Sequence, residues 1–147
     1  MPILRQTRRI NPLDLNKNVR IGVAFPLDEN NMFSGTMTVK EQIKANLLNL
    51  LLTYPGERIN EPNFGVGIKN LLFEQSIDLI SLKIKIQDQI NKHIAEIKLK
   101  EVITNINEDE HILLISLTYT YLLDNSSQSI QLNFTDHDYW NQYEDKI

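Results

Sequence analysis

The chain has 147 residues, a formal net charge of −4 and no cysteine. That length suits one domain whose core needs neither disulfide nor metal, and the missing cysteine excludes a disulfide framework, a thiolate metal centre and a thiol nucleophile. The acidic balance argues against a nucleic-acid surface, apolar runs as short as residues 50–52 and 112–115 leave no membrane span, and the start MPILRQTRRINP lacks the apolar segment of a signal peptide.

Residues 1–18 have little periodicity, and Pro2, Asn11, Pro12, Asn16 and Asn18 predict an extended arm. Val19, Ile21, Val23 and Phe25 alternate with Arg20, Gly22 and Ala24, the pattern of a strand ended by Pro26. A polar loop, residues 28–35, follows. Thr38 and Glu41 have the spacing of a capping box, which starts a helix with Val39, Ile43, Leu47, Leu50, Leu51 and Tyr54 on one face. No charged side chain occurs from Ala45 to Gly56, and the opposite face carries only Gln42, Asn46, Asn49 and Thr53. A helix normally turns a charged face to water, so this half is expected to be enclosed.

The helix breaks at Pro55-Gly56, since proline cannot continue it and glycine suits a left-handed stop. Glu57 and Arg58 follow at once, Glu61 precedes Pro62, and Phe64-Gly65 puts a large ring beside a residue free to take positive φ. Two readings of this loop stand. In one it is a plain corner between helices, with Gly56, Pro62, Phe64 and Gly65 shaping it and Phe64 plugging the core. In the other it is a contact loop in which Glu57, Arg58 and Glu61 orient one another or meet a partner.

Residues 68–73 predict a short helical turn. Ser76 is placed to cap a second long helix with Asp78 in its first turn, and Leu79, Leu82, Ile86, Ile90 and Ile97 recur at helical spacing. From Leu99 the period falls to two: residues 99–107, 111–123 and 129–134 predict a three-stranded antiparallel meander. Its last strand, with Ile130, Leu132 and Phe134 alternating with polar residues, has neither proline nor inward charge to blunt its edge. The tail DHDYWNQYEDKI is acidic and aromatic, and Tyr139, Trp140 and Tyr143 suit docking rather than hydration. The basic start and acidic end are read either as a pair, within or between molecules, or as two solvated tails. The expectation is therefore an α+β domain at residues 19–135, two long helices packed on a small, mainly antiparallel sheet, with an extended N-terminal arm at 1–18 and a C-terminal tail at 136–147.

Signals of chemistry are sparse. His93, His111 and His137 stand singly, without the carboxylate spacing of a zinc helix, so neither a metal site nor a bound cofactor is expected. No nucleophile-elbow motif occurs, and Gly65-x-Gly67 is too short a fragment for a phosphate loop. Glycoside hydrolysis needs two carboxyls facing a cleft about 5 to 9.5 Å apart, and Glu57, Glu61, Glu74 and Asp78 are close enough in sequence to offer a pair. The same loop chemistry equally suits an ion-paired protein contact.

The string N-L-L-N-L-L-L-T-Y-P-G-E-R-I-N-E-P-N-F-G, with L-L-F-E following, resembles the signature of the small baseplate wedge and sheath-initiator proteins of contractile phage tails, a family shared with a type VI secretion baseplate component. The resemblance implies a non-enzymatic virion protein of the tail baseplate, assembled in the host cytoplasm and present in six-fold symmetric copies. Its implied partners are other wedge proteins, contacted at Glu57, Arg58 and Glu61, and the tail sheath protein, whose strands add to one or both free sheet edges, the one carrying Ile130, Leu132 and Phe134 or the one at residues 99–106. Neither nucleic acid nor a membrane is implied. Some members carry an older lysozyme label, which makes a peptidoglycan-cleaving muramidase the alternative. Many members have Glu-Pro-Arg at the end of the second long helix; here that position reads Ile94-Ala95-Glu96. The loop at 56–62 then carries the wedge contact, or the partner has changed to suit.

Overall fold

The computed structural model describes residues 10–24, 35–71, 74, 76–107, 109, 112–135 and 143–144. The expectations for the arm before Ile10, Phe25 and Pro26, most of the polar loop, Leu72-Phe73, His111, His137, Tyr139 and Trp140 lie outside the described residues.

Thr38 does cap the first long helix, α1 (Val39–Leu52): its hydroxyl accepts the Glu41 N–H while the Glu41 carboxylate accepts the Thr38 N–H. Val39, Ile43, Leu47, Leu50 and Leu51 are buried as the period demands, whereas Tyr54 lies past the helix end and is half exposed. The neutral stripe closes on itself. Gln42 donates to Asn46, the Thr36 hydroxyl donates to Gln42, and the Thr53 hydroxyl donates to the Asn49 carbonyl. Thr36 belongs to β2 (Gly35–Thr36), which pairs with β1 (Gly22–Val23) in a two-stranded ribbon beside α1. The predicted strand at 19–25 thus shrinks to two residues.

The N-terminal stretch is not simply extended. Pro12–Leu15 forms a 3-10 turn capped by Asn11, and the Asp14 carboxylate accepts the Val39 N–H at 2.8 Å. A carboxylate at a helix N-terminus satisfies an orphan donor and faces the positive end of the dipole.

After α2 (Ile68–Leu71), Asp78 rather than Ser76 caps α3 (Leu79–His93). Its carboxylate accepts from the Ile80 and Ser81 N–H groups and from the Ser81 hydroxyl. Asp78 stands directly before the first helical residue, where a cap oxygen meets the first-turn N–H groups, whereas Ser76 lies two residues further out. Ile97 continues the apolar spacing only by coincidence; α3 stops at Ile94, and Ile97 opens the next strand.

The main sheet is a meander of β3 (Ile97–Asn107), β4 (Ile112–Tyr121) and β5 (Ser127–Thr135), extended by a fourth short strand, β6 (Tyr143–Glu144), in the order β3-β4-β5-β6, all antiparallel. One face holds Val102, Leu113, Ile115, Leu117, Tyr119, Tyr121, Ile130 and Leu132, and buries them against Leu47, Leu50, Leu51, Leu82, Ile86 and Ile90 of the long helices. Lys40 of α1 reaches Asp124 in the β4–β5 turn at 2.6 Å, so the helix start is tied to a sheet corner 84 residues away. Among the described residues no helix is long and apolar enough to cross a membrane.

Candidate contact loop and sheet edge

The loop between α1 and α2 is built inward from its glycines. Gly56, Gly65 and Gly67 all have positive φ. At Gly65 (φ 107°) a Cβ would also collide with the Thr53 carbonyl, so both conformation and space demand glycine. That close approach lets the Val66 N–H donate to the Leu50 carbonyl at 3.0 Å, which satisfies one of the free acceptors at the end of α1.

Phe64 is the keystone. It is buried, with the His93 ring of α3 edge-on at 4.8 Å between centroids and the Arg58 guanidinium over its ring at 3.7 Å. An aromatic pair of this geometry is worth about 0.5–1.5 kcal/mol, and a cation over a ring about 0.5–1 kcal/mol at an exposed site. Arg58 also pairs with Glu61 at 3.1 Å, both side chains being well exposed. Glu57 does not join that pair through any contact described here; its carboxylate accepts the Tyr54 N–H at 3.1 Å. Of the three proposed contact residues, Arg58 and Glu61 are therefore brought together, while Glu57 braces the loop from its other end. The corner reading and the contact reading coexist: Gly56, Gly65 and Phe64 shape a fixed turn, and Glu57, Arg58 and Glu61 lie on its outside beside Ile59, which is 96% exposed. Pro62 sits in the tight turn closed by the Phe64 N–H on the Glu61 carbonyl.

One residue that organises the loop escaped the sequence reading. Gln89 of α3 is buried, and its carboxamide accepts the Gly65 N–H and donates to the Asn63 carbonyl. The available signal was a polar residue inside an apolar stripe, since Gln89 lies between Ile86 and Ile90 on the core side of α3.

Of the four carboxylates weighed for hydrolysis, Asp78, Glu57 and Glu61 are otherwise engaged. Asp78 caps α3, and the Ser81 hydroxyl, together with the Ser81 and Ile80 N–H groups, holds its pKa below the ordinary value. A general acid for glycoside cleavage needs the opposite displacement. Glu57 and Glu61 are exposed and committed to the loop. Among the described residues no three His, Asp or Glu side chains group to hold a metal.

At the far side of the sheet, Ile130 and Leu132 are buried in the core and Phe134 is half buried, so it is their strand's backbone that forms the edge. That edge is not bare: β6 pairs with β5 at Gln131↔Glu144 and Leu132↔Tyr143. The Ile94-Ala95-Glu96 segment caps α3 and turns into β3; Ile94 is buried, Ala95 and Glu96 are exposed, and the Leu122 N–H donates to the Glu96 carbonyl.

Comparison with known proteins adds three observations. The family model for baseplate wedge protein gp25 matches residues 37–126. A Geobacter sulfurreducens crystal structure, provisionally described as a tail lysozyme, is similar at 22% identity and TM-score 0.58 over 69% of this chain and 95% of that one. A chain of a type VI secretion baseplate complex is similar at 15% identity and TM-score 0.59 over 68% and 95%. At these identities the two structures share the fold. No curated protein matches in sequence.

Proposed function

Since the chain belongs to the family of baseplate wedge protein gp25, we propose that it is a non-enzymatic wedge component that docks on a helical bundle of neighbouring wedge proteins through the loop at 56–65 and starts sheath assembly by accepting sheath strands at its sheet edge. Its place is the baseplate of a contractile tail or a related secretion machine, in copies following the six-fold symmetry of such assemblies, put together in the host cytoplasm. The domain at 19–135 supplies both surfaces.

The observation that carries this reading is the family match itself, which spans α1, the braced loop, α3, β3 and β4. The geometry supports it. The loop is held from inside by Gln89, Phe64 and three positive-φ glycines, and its charged residues stay outside, so a partner meets a surface that loses little entropy on binding. Catalysis is disfavoured by the engagement of Asp78, Glu57 and Glu61 described above. The test is co-assembly with wedge proteins. Arg58→Ala and Glu61→Ala, which remove an exposed ion pair and, for Arg58, a cation–ring contact on Phe64, are expected to weaken capture by wedge subunits at least tenfold with the fold intact. Undiminished capture by both variants would remove the loop from the interface.

A further inference from the structure

The two edges of the main sheet are protected by different means. The β3 edge carries Lys98, Lys100 and Glu101, all exposed, and its register with β4 slips between Leu99 and Glu101, so that a bulge falls at Lys100. Charge and bulges are the usual devices that keep an edge from pairing with another chain. The β5 edge has neither. Ser127–Thr135 reads SQSIQLNFT, without charge, proline or a register slip against β4. Among the described residues its cover is β6, which pairs with β5 at Gln131 and Leu132.

We infer that β5 is the acceptor edge and that the chain's own Tyr143–Glu144 strand is a displaceable guard, holding that edge in the free protein until a partner's extended strand takes its place. This deepens the strand-addition reading above and rests on it. The register defines what fits. An incoming strand lying antiparallel to β5 has apolar residues opposite Ile130, Leu132 and Phe134, where they extend the core face, and uncharged polar residues opposite Ser129, Gln131 and Asn133. Such a strand pairs along Ser127–Thr135, including the positions Gln131 and Leu132 where β6 lies, so the two compete for one edge. A guard of this kind also keeps two free copies from joining edge to edge, the hazard of an uncharged edge.

The experiment has an arm without partner and an arm with purified tail sheath protein, both on the full chain. In hydrogen exchange on the free protein, the outward amide at Gln131 or Leu132 is expected to exchange at least tenfold faster in the double variant Tyr143→Pro/Glu144→Pro than in the parent. Unchanged exchange there overturns the guard, whatever sheath does. On adding sheath, amides in Ser127–Thr135 are expected to gain protection and those of Ile97–Asn107 are not. Protection at β3 instead overturns the choice of edge while leaving strand addition standing; protection at neither overturns strand addition as well. A cross-strand lock supplies an independent check that keeps the edge folded. Because the chain has no native cysteine, Gln131→Cys with Glu144→Cys ties the guard to the edge when oxidised. The oxidised form is expected to lose sheath capture and regain it on reduction. Equal capture in both forms overturns displacement.

Discussion

The Gln89 carboxamide stands 2.8 Å from the Gly65 N–H and 3.0 Å from the Asn63 carbonyl, so a helix side chain takes the role of a paired backbone strand for a loop that has none. The loop is thereby fixed to α3 by two hydrogen bonds at its most enclosed point. Gln89→Leu keeps the volume but strands the buried Gly65 donor, which costs about 1–3 kcal/mol. Urea unfolding is expected to show that loss; a change within about 0.5 kcal/mol, the range of ordinary surface substitutions, would mean the loop is held otherwise.

Phe64 and Arg58 touch each other yet should behave oppositely. Phe64→Ala removes a buried ring packed between His93 and Arg58 and is expected to cost about 3–5 kcal/mol. Arg58→Ala loses an exposed ion pair and a cation–ring contact at the surface, together about 0.5–2 kcal/mol. Thermal melts of the isolated domain compare the two directly. Equal destabilisation would make Arg58 a folding residue and take away the reason to regard it as a contact residue.

The Lys40–Asp124 pair sets a pH dependence. Burial pushes the Asp124 carboxyl up, but the Lys40 ammonium and the Ser126 hydroxyl and N–H more than offset this and hold it at about 2, below its ordinary 3.8. A carboxyl with a depressed folded pKa adds stability that is fully present above its unfolded value and is lost as pH falls through the folded one. Asp124→Asn is therefore expected to cost about 1–2 kcal/mol near neutrality, with Lys40 still partly exposed, and the gap to the parent should close between pH 4 and pH 2. Denaturant titrations across that window check it; a gap that persists at pH 2 would assign the effect to lost hydrogen bonds rather than charge.

Purified protein is expected to leave peptidoglycan intact from acidic to neutral pH. Turnover abolished by Glu57→Gln or Glu61→Gln would restore the muramidase alternative, and the loop would then have to be reread as a cleft wall.

Local signals in the sequence carried the elements, and contacts distant in sequence were beyond them. Thr38 with Glu41 fixed the start of α1 because both halves of the capping box lie within four residues. The alternation of Leu113, Ile115, Leu117, Tyr119 and Tyr121 settled which face of β4 is buried for the same reason. Asp14 on Val39, Lys40 on Asp124 and Gln89 on Gly65 each join residues at least 24 positions apart, and no periodicity encodes such a meeting. Glu57 and Glu61 looked interchangeable as partners for Arg58; backbone geometry decided, since residues 58 and 61 face each other across one tight turn while Glu57 is drawn back to the Tyr54 N–H. The fourth strand was missed because its described part, Tyr143–Glu144, is too short to set a period.

The meander also bears on how the protein reaches this state. β3, β4 and β5 follow one another directly, so their pairings close short loops, whereas α1 must find β4 strands some seventy residues later. Loop closure penalises the second event more than the first. The β3–β4 hairpin is thus expected to form in the transition state, with α1 condensing onto it afterwards. Truncating Leu117 should slow refolding, and truncating Leu50 should mainly speed unfolding; the reverse pattern in a chevron would put the helix first. A newly made copy would then expose the inner face of its sheet, with Leu113, Ile115 and Leu117 bare, before α1 covers it.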